Sequence, residues 1–418
     1  MRRVVITGMG ALSPFGMGVN IAWDSIINNK SAISKITKFD ATDFTSQVAG
    51  QVIHGTQAGQ FNPDLIMAVK EQKRIDDFIL YAIASAEEAI NDANWHPQTE
   101  EEKNRTGVAV GSGIGGLKTI YNTSITLSEQ GPRRINPFFI PSSIINMASG
   151  HISMRYGFKG PNLSCVTACA TGAHSIIAAY QNIILGDADV MITGGSEAVL
   201  HPLPVGGFMQ SRALSHSYND TPQKASRPWD QGHDGFVISE GSGILVLEEY
   251  EHARARGAKI YAEITGYGCS SDAYHITSPA PDGSGAKRAM ITALQKANIQ
   301  PQSIDYINAH GTSTMIGDAM EATAVKELFT DCPNLKMSST KSSTGHMLGA
   351  AGAIEVIFCA KAIETNIVPP TLNLENPIPE AQGIDLVPYQ SCKHNVSVAM
   401  SNSFGFGGTN TSIILQKI

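Results

Sequence analysis

Hydrophobic and polar positions fall along this chain in uneven blocks, and the widest block carries no charge. From Pro161 to Gly186 there is no Asp, Glu, Lys or Arg, in a protein that is 16% charged. The window reads as a short extended piece, the turn Thr-Ala-Cys-Ala-Thr-Gly, and an apolar run ending near Leu185. A run of that length approaches a membrane span. Its Ser, Thr, Asn, Gln and His content predicts instead a helix buried on all sides in a large core. Cys169 falls where the extended piece turns into that helix. Free N–H groups and the positive helix end favour a thiolate there, although a free cysteine in apolar sequence is also compatible with simple burial.

The other blocks alternate between strand and helix periods. Arg3–Thr7 predicts a strand followed by a glycine turn, and Asp24–Asn29 and Met67–Lys73 predict surface helices. Within Arg74–Ala93, Ile75, Phe78, Ile79, Ala82, Ala86, Ala89 and Ile90 recur on one helical face. Gly107–Gly111 predicts a buried strand, followed by irregular Pro- and Asn-rich sequence to Gly160. Asp189–Thr193 and Ile244–Glu248 predict strands on either side of a polar segment, Leu203–Asp234, and Glu251–Arg256 a charged helical turn. The order then restarts. Tyr261–Gly268 (YAEITGYG) echoes Val4–Gly10 (VVITGMG), and Asp305–Ala309 echoes Gly107–Gly111. Ser338–Ala360 echoes the cysteine window, and Val396–Met400 with Thr411–Leu415 repeats the closing strands. Such self-similarity predicts an internal duplication, with halves 1–255 and 256–418. Strands alternating with buried helices predict a layered α/β architecture, helices lying between and outside two sheets.

Composition narrows the function classes. A chain of 418 residues exceeds one simple core, and 42% hydrophobic residues with 40 glycines describe a globular protein with many tight turns. A formal charge of −7 speaks against nucleic-acid binding. Cys165, Cys169, Cys269, Cys332, Cys359 and Cys392 form no CxxC pair, which predicts reduced thiols, a cytoplasmic location and no metal site. Arg2-Arg3 precedes too short an apolar stretch, interrupted by Gly8, Gly10 and Pro14, to be a signal peptide. No membrane association is expected.

Candidate chemistry gathers in three further places. Asn308-Ala-His310-Gly-Thr312-Ser-Thr314 follows a predicted strand, and Lys341-Ser-Ser-Thr-Gly-His346 is matched to the cysteine turn. A lone histidine in such a loop is usually structural; two of them, in duplicated positions around a helix-capping cysteine, suit acyl-thioester chemistry. The thiol would hold an acyl group and two N–H donors would meet developing oxyanions. Asp318-Ala-Met-Glu321 reads as a capping box. Ser401–Asn410 (SNSFGFGGTN) places Phe404 and Phe406 in a glycine-rich bend whose N–H groups suit an oxyanion hole. Gly111-Ser-Gly113-Ile-Gly-Gly116 matches a dinucleotide fingerprint but lacks the acidic residue ending a following strand. No cofactor is expected.

Together these motifs resemble the β-ketoacyl-acyl carrier protein synthases, most closely the type II condensing enzymes of bacterial fatty-acid elongation. The resemblance runs end to end: VVITGMGALSPFG at Val4–Gly16, VTACATGAH at Val166–His174, NAHGTSTMIGDAMEA at Asn308–Ala322, SSTKSSTGHMLGAAGAIE at Ser338–Glu355 and SNSFGFGGTN at Ser401–Asn410. It implies a thiolase-like fold with two duplicated halves in an α-β-α-β-α arrangement. It also implies that Cys169 accepts an acyl chain from acyl carrier protein, and that His310 and His346 promote decarboxylation of malonyl-carrier protein. The N–H groups of Cys169 and Phe406 would form the oxyanion hole, with Phe406 a gate. Lys341 and Glu355 would support the histidines as an ion pair. Thr312 and Thr314 would contact the pantetheine arm, Ile114 would line the acyl pocket, and Phe404 would join the substrate-binding residues. Lys70, Lys73, Arg74, Arg133, Arg134 and Arg212 occupy positions like the family's docking surface for the acidic carrier. A homodimer is expected. Ala170 stands where many relatives carry Thr, a difference that would tune the helix cap.

Alternatives differ in single residues. A thiolase would need a second catalytic cysteine, acyl-CoA-primed synthases pair Cys and His with Asn where this chain has His346, and a non-catalytic chain-length partner would lack Cys169. A nicotinamide oxidoreductase would bind its cofactor; a scaffold protein would form no acyl adduct.

Overall fold

The structure, a computed structural model, describes residues 2–57 and 59–418. Its main strands in the first half are β1 (Val4–Ser13), β2 (Thr106–Gly111), β3 (Asn162–Leu163), β4 (Val190–Glu197) and β5 (Gly241–Glu249). Those of the second half are β6 (Ala262–Ser271), β7 (Tyr306–Asn308), β8 (Lys336–Ser338), β9 (Val398–Gly405) and β10 (Thr409–Gln416). They lie in the order β8-β7-β9-β10-β6-β1-β5-β4-β2-β3, and Gly16–Met17 pairs with β1 off this path. Read outward from the centre, the two halves are the same. β1–β5–β4 and β6–β10–β9 are antiparallel, while β4–β2–β3 and β9–β7–β8 are parallel. The two sheets expected from the sequence join along one short seam, Val5 opposite Glu263 and Ile6 opposite Ala262.

Four helices complete the layers: α1 (Asp77–Asp92), α2 (Thr171–Leu185), α3 (Ser284–Ala297) and α4 (Ala351–Thr365). α1 covers β1, β5 and β4 on one outside, and α3 covers β6 and β10 on the other. α2 and α4 pack together in the middle, against β4 and β2 and against β9 and β5 respectively. α4 is buried from Ala351 to Ile363, which is why its sequence shows no polar stripe. Both central helices end on a left-handed residue, Gly186 at φ 85° and Asn366 at φ 53°, the usual stop for a helix.

The echo between VVITGMG and YAEITGYG has a packing cause. A Cβ on Gly8 or Gly10 would lie 2.2 Å from the Ala89 carbonyl oxygen or 2.0 Å from that of Ser85. On Gly266 or Gly268 it would lie 2.3 Å from the Ala293 oxygen or 1.9 Å from that of Ala289. The glycines let α1 and α3 sit directly on the strand backbone. The expected turn after Thr7 is therefore absent, and β1 continues to Ser13.

Other segments also depart from the sequence reading. The stretch expected to be irregular up to Gly160 contains helices Leu117–Gln130, Phe139–Ser143 and Met147–Tyr156. The first buries none of its residues, so it has no core-facing stripe to read. The polar segment holds helix Pro202–Gln210, masked by Gly206 and Gly207. The helix expected at Asp24–Asn29 spans Val19–Ile27 and buries Val19, Ala22, Trp23 and Ile26 rather than lying on the surface. Among the described residues no helix is long and apolar enough to cross a membrane.

Candidate active site

The loops at one end of the central helices enclose a cavity of about 290 Å³. Cys169, His310, His346, Phe404, Phe406, Thr312, Thr314 and Arg212 all line it. Cys169 sits in a single 3-10 turn, Ala168–Ala170, immediately before α2. Ala168 there has φ 49°, a left-handed conformation that costs a non-glycine residue roughly 1–2 kcal/mol. The second half repeats this turn as Leu348–Ala350 before α4, with Leu348 at φ 47°.

The true counterpart of Cys169 is thus Gly349, not a residue of Lys341–His346. Residues 164–170 join β3 to α2, whereas the longer stretch 339–350 joins β8 to α4, and the extra length carries Lys341 and His346.

Burial pushes the Cys169 thiol up to about 12; the Lys341 charge and the N–H groups of Phe406 and Cys169 pull it down, while Glu197 raises it further. The helix end therefore does not make Cys169 a resting thiolate, as the sequence suggested: desolvation outweighs it. The β9–β10 bend presses against the cysteine turn. A Cβ on Gly405 would meet the Thr167 carbonyl oxygen at 2.9 Å and the Cys169 nitrogen at 3.2 Å. The amides of Cys169 and Phe406 both reach the Cys169 sulfur.

The imidazoles of His310 and His346 stand nearly perpendicular, 86° apart with ring centres separated by 5.3 Å. Phe404 packs 5.7 Å from His310 and Phe236 packs 5.4 Å from His346. Burial holds both histidines well below the usual imidazole range, and the Lys341 charge adds to this, so both are neutral. His346 is fixed by its backbone: its N–H donates to Val237 (2.8 Å) and its carbonyl accepts from Ser239 (3.0 Å). The expected Lys341–Glu355 pair is present, hydrogen-bonded and buried on both sides. Burial raises the Glu355 carboxyl to about 7 against the opposing pull of Lys341.

Thr312 and Thr314 share a hydroxyl–hydroxyl hydrogen bond of 2.9 Å at the cavity wall. Ile114 lies outside the cavity lining, in the apolar cluster that also holds Cys169, Phe208 and Leu348. Arg212 stands at the cavity mouth. Lys70, Lys73 and Arg74 are exposed around helix Val69–Gln72, with Arg74 stacked 4.7 Å over Phe138 beside a second cavity. Arg133 and Arg134 project from the turn Pro132–Arg134.

One carboxylate, Glu197, escaped the sequence reading, and two others, Asp318 and Glu321, were given the wrong role. Glu197, at the end of β4, accepts from the Ser112 hydroxyl (2.7 Å) and the N–H groups of Gly113 (2.8 Å), Ile114 (3.1 Å) and Gly349 (2.9 Å). The GxGxxG loop thus folds around a carboxylate of its own chain, which a phosphate would have to displace. Glu321 accepts from His310 N–H (2.9 Å), Gly311 N–H (2.7 Å) and the Asn402 amide (3.2 Å). Asp318 accepts from Ser313 N–H (3.1 Å). The expected capping box is therefore wrong: helix Met315–Leu328 begins at Thr314 without a side-chain cap, and both acids serve the preceding loop. Glu197 left one readable signal, a lone acid closing the apolar strand VMITGGSE.

A duplicated, layered α/β fold with a cysteine in the turn before one central helix and two neutral histidines lining the same cavity defines a thiolase-like condensing enzyme. Comparison with known proteins makes the family specific. Residues 1–253 match the family model "Beta-ketoacyl synthase, N-terminal domain" and residues 261–375 match "Beta-ketoacyl synthase, C-terminal domain". The chain belongs to the β-ketoacyl synthase family and is an enzyme of the acyltransferase class. It is 54% identical to the 3-oxoacyl-[acyl-carrier-protein] synthase 2 of Rhizobium meliloti, covering 100% of this chain and 99% of the relative. It is 50% identical to the mitochondrial 3-oxoacyl-[acyl-carrier-protein] synthase of Arabidopsis thaliana, covering 100% and 94%. A β-ketoacyl synthase from Burkholderia phymatum superposes with TM-score 0.90 at 33% identity, covering 100% of both chains. A type II polyketide ketosynthase solved with its acyl-carrier protein also superposes with TM-score 0.90, at 34% identity, covering 100% of this chain and 99% of that one.

Proposed function

We propose that this chain is a 3-oxoacyl-[acyl-carrier-protein] synthase of the fatty-acid elongation type. It joins a cysteine-bound acyl chain to malonyl-acyl carrier protein with loss of carbon dioxide. The observation that carries this reading is the convergence of Cys169 and two neutral histidines on one cavity.

In the first half-reaction the Cys169 sulfur attacks the thioester carbonyl of an acyl-carrier protein. The carbon–sulfur bond to the pantetheine breaks, the thiol proton passes to the leaving pantetheine sulfur, and the acyl group stays on Cys169. The N–H groups of Cys169 and Phe406 stabilise the oxyanion. In the second half-reaction the malonyl thioester loses its carboxylate as carbon dioxide, leaving an enolate whose oxygen accepts hydrogen bonds from His310 and His346. The enolate carbon attacks the Cys169 thioester, the 3-oxoacyl chain forms on the carrier, and the Cys169 thiolate takes up a proton. Neutral imidazoles suit this work: they donate N–H to an enolate without presenting an acid strong enough to quench it. Lys341 and Glu355 hold the local field. Ile114 and Phe404 shape the acyl and malonyl sites, Phe406 is the gate, and Thr312 and Thr314 bind the pantetheine arm.

Residues 1–255 are the half carrying the nucleophile and residues 256–418 the half carrying the histidines. The partner is acyl carrier protein, docked on Lys70, Lys73, Arg74, Arg133, Arg134 and Arg212. The enzyme is cytoplasmic and works as a homodimer. Helix Leu117–Gln130 buries none of its own residues and leaves Ile120, Tyr121, Ile125 and Leu127 exposed, which supports a second copy covering that face. Incubation of the purified protein with acyl- and malonyl-carrier proteins tests the reading. The expected result is one carbon dioxide and one 3-oxoacyl-carrier product per acyl-carrier consumed; absence of that product from folded protein contradicts it.

A further inference from the structure

The GxGxxG loop after β2 rests on one side chain. Glu197 closes β4 and has no accessible surface, and four neutral groups donate to it. Its Oε1 accepts from the Ser112 hydroxyl at 2.7 Å and from Ile114 N–H at 3.1 Å. Its Oε2 accepts from Gly113 N–H at 2.8 Å and from Gly349 N–H at 2.9 Å. Three of these donors belong to the loop and the fourth to the turn before α4, so one carboxylate serves both halves of the chain. The loop also lies on the cysteine turn, since a Cβ on Gly113 would stand 3.3 Å from the Ala168 carbonyl oxygen. Beyond Ile114 the chain is held by other groups: Gly115 N–H donates to the Ser112 hydroxyl oxygen (3.0 Å) and Gly116 N–H to the Ser143 carbonyl (3.1 Å). The Ile114 side chain packs in one apolar cluster with Cys169, Phe208 and Leu348. Those three line the cavity, and Ile114 lies just outside its lining.

We propose that Glu197 is a positioning residue that fixes the Ile114 backbone at the inner end of the cavity and thereby sets how long an acyl chain Cys169 accepts. This rests on the reading of Cys169 as the residue that carries the acyl group. The cavity holds about 290 Å³, and a chain that outgrows it meets Ile114 among the apolar side chains packed on Cys169. Moving Ile114 aside separates its N–H from a buried acceptor, a cost that a shorter chain never meets. Glu197→Gln distinguishes this role from general packing. An amide accepts with only one of its two heavy atoms, whereas a hydroxyl both donates and accepts. The amide oxygen therefore faces Gly113 and Gly349, whose N–H groups can only donate, and the NH₂ faces Ser112, whose oxygen can accept. Ile114 N–H then meets an NH₂ in place of an oxygen, and the loop is released at that residue while the Gly349 turn stays held.

The test is the rate of Cys169 acylation by butanoyl- and hexadecanoyl-carrier proteins, read by intact-protein mass spectrometry, alongside the rate of Cys169 alkylation by iodoacetamide. The variants are Glu197→Gln, Ser112→Ala and, as a control, Glu248→Gln. Glu248 is a buried acid outside the cavity lining that pairs with Arg256 and His252. Glu197→Gln is expected to raise the ratio of long-chain to short-chain loading about five-fold, with alkylation and butanoyl loading changed less than about three-fold. Ser112→Ala removes one donor to Glu197 and the acceptor of Gly115 N–H. It should shift the ratio the same way by less, and it decides the matter alone if Glu197→Gln does not fold. Glu248→Gln should leave the ratio unchanged. A ratio within about two-fold of wild type in folded Glu197→Gln, a fall in that ratio, or an equal rise in Glu248→Gln overturns the proposal. A folded wild type that takes no acyl group from either carrier overturns the functional reading itself, whereas a wild type that loads beside a variant with an unchanged ratio overturns this inference alone.

Discussion

The turns Ala168–Ala170 and Leu348–Ala350 share one backbone and do different work. Each precedes a central helix, and each opens on a non-glycine residue near φ 50°. In the first, the middle residue is Cys169, open to the cavity. In the second it is Gly349, whose N–H donates to Glu197 and where a Cβ would lie 2.3 Å from the Gly113 nitrogen. Duplication supplied two equivalent strained turns. The first is left free to present a side chain, while the second is packed so closely that it admits none. The strain is therefore a property of the fold, and the chemistry comes from which turn faces space.

Substitutions sharpen that contrast, beginning with the largest effect. Cys169→Ala should abolish both acyl loading and chain extension while leaving thermal stability within about 1 kcal/mol, because only one sulfur atom lining a cavity is removed. Intact-mass detection of the acyl adduct and of the 3-oxoacyl-carrier product, with calorimetry, checks the two halves of that statement. His310→Ala or His346→Ala should slow malonyl decarboxylation by about 10²–10³-fold, the usual loss for one oxyanion donor. Acylation of Cys169 should change much less, and single-turnover measurement of each half-reaction separates the two. On the structural turn, Gly349→Ala should leave Cys169 alkylation nearly unchanged yet cost about 1–3 kcal/mol in denaturant unfolding, since the Gly113 backbone must move. Ala168→Gly should shift stability by no more than about 1 kcal/mol, relief of the left-handed strain being offset by added chain entropy.

Acidity tests the electrostatic half of the account. Because burial lowers both histidines, they stay neutral as pH falls through their ordinary value near 6.5. The acid limb of kcat should accordingly lie well below pH 6.5, and a limb centred at 6.5 would show that at least one of them is not desolvated. Stability follows the same direction. Below about pH 6.5 the unfolded chain takes up protons that the folded histidines refuse, so stability decreases as the pH is lowered through that range. His310→Ala should flatten that slope.

Much of this was legible in the residues. The uncharged window around Cys169 predicted a helix buried on all sides; α2 forms there and buries one face, but Gln181 and Leu185 are exposed. The two histidine loops stood out beside glycines and hydroxyls. The fold's repeat was visible in its glycine echo, although the reason was not. Gly8 and Gly10 looked like a turn because a strand glycine is usually a break. Their real role, admitting a helix backbone, depends on Ser85 and Ala89 far along the chain. The acids were harder. Asp318 and Glu321 have the spacing of a helix cap, and nothing local says that their donors lie in the loop before it. Glu197 gathers N–H groups from residues 113, 114 and 349, a convergence that exists only once both halves have folded. Nor could sequence weigh the helix end against desolvation at Cys169, because the balance turns on how completely the cavity wall encloses the sulfur.

The most direct test of the central claim is intact-protein mass spectrometry after incubation with a series of acyl-carrier proteins, followed by peptide mapping. The account predicts a single acyl adduct on the peptide containing Cys169, absent from Cys169→Ala and discharged when malonyl-carrier protein is added. An adduct on any other cysteine, or none from a folded protein with every chain length offered, would contradict it.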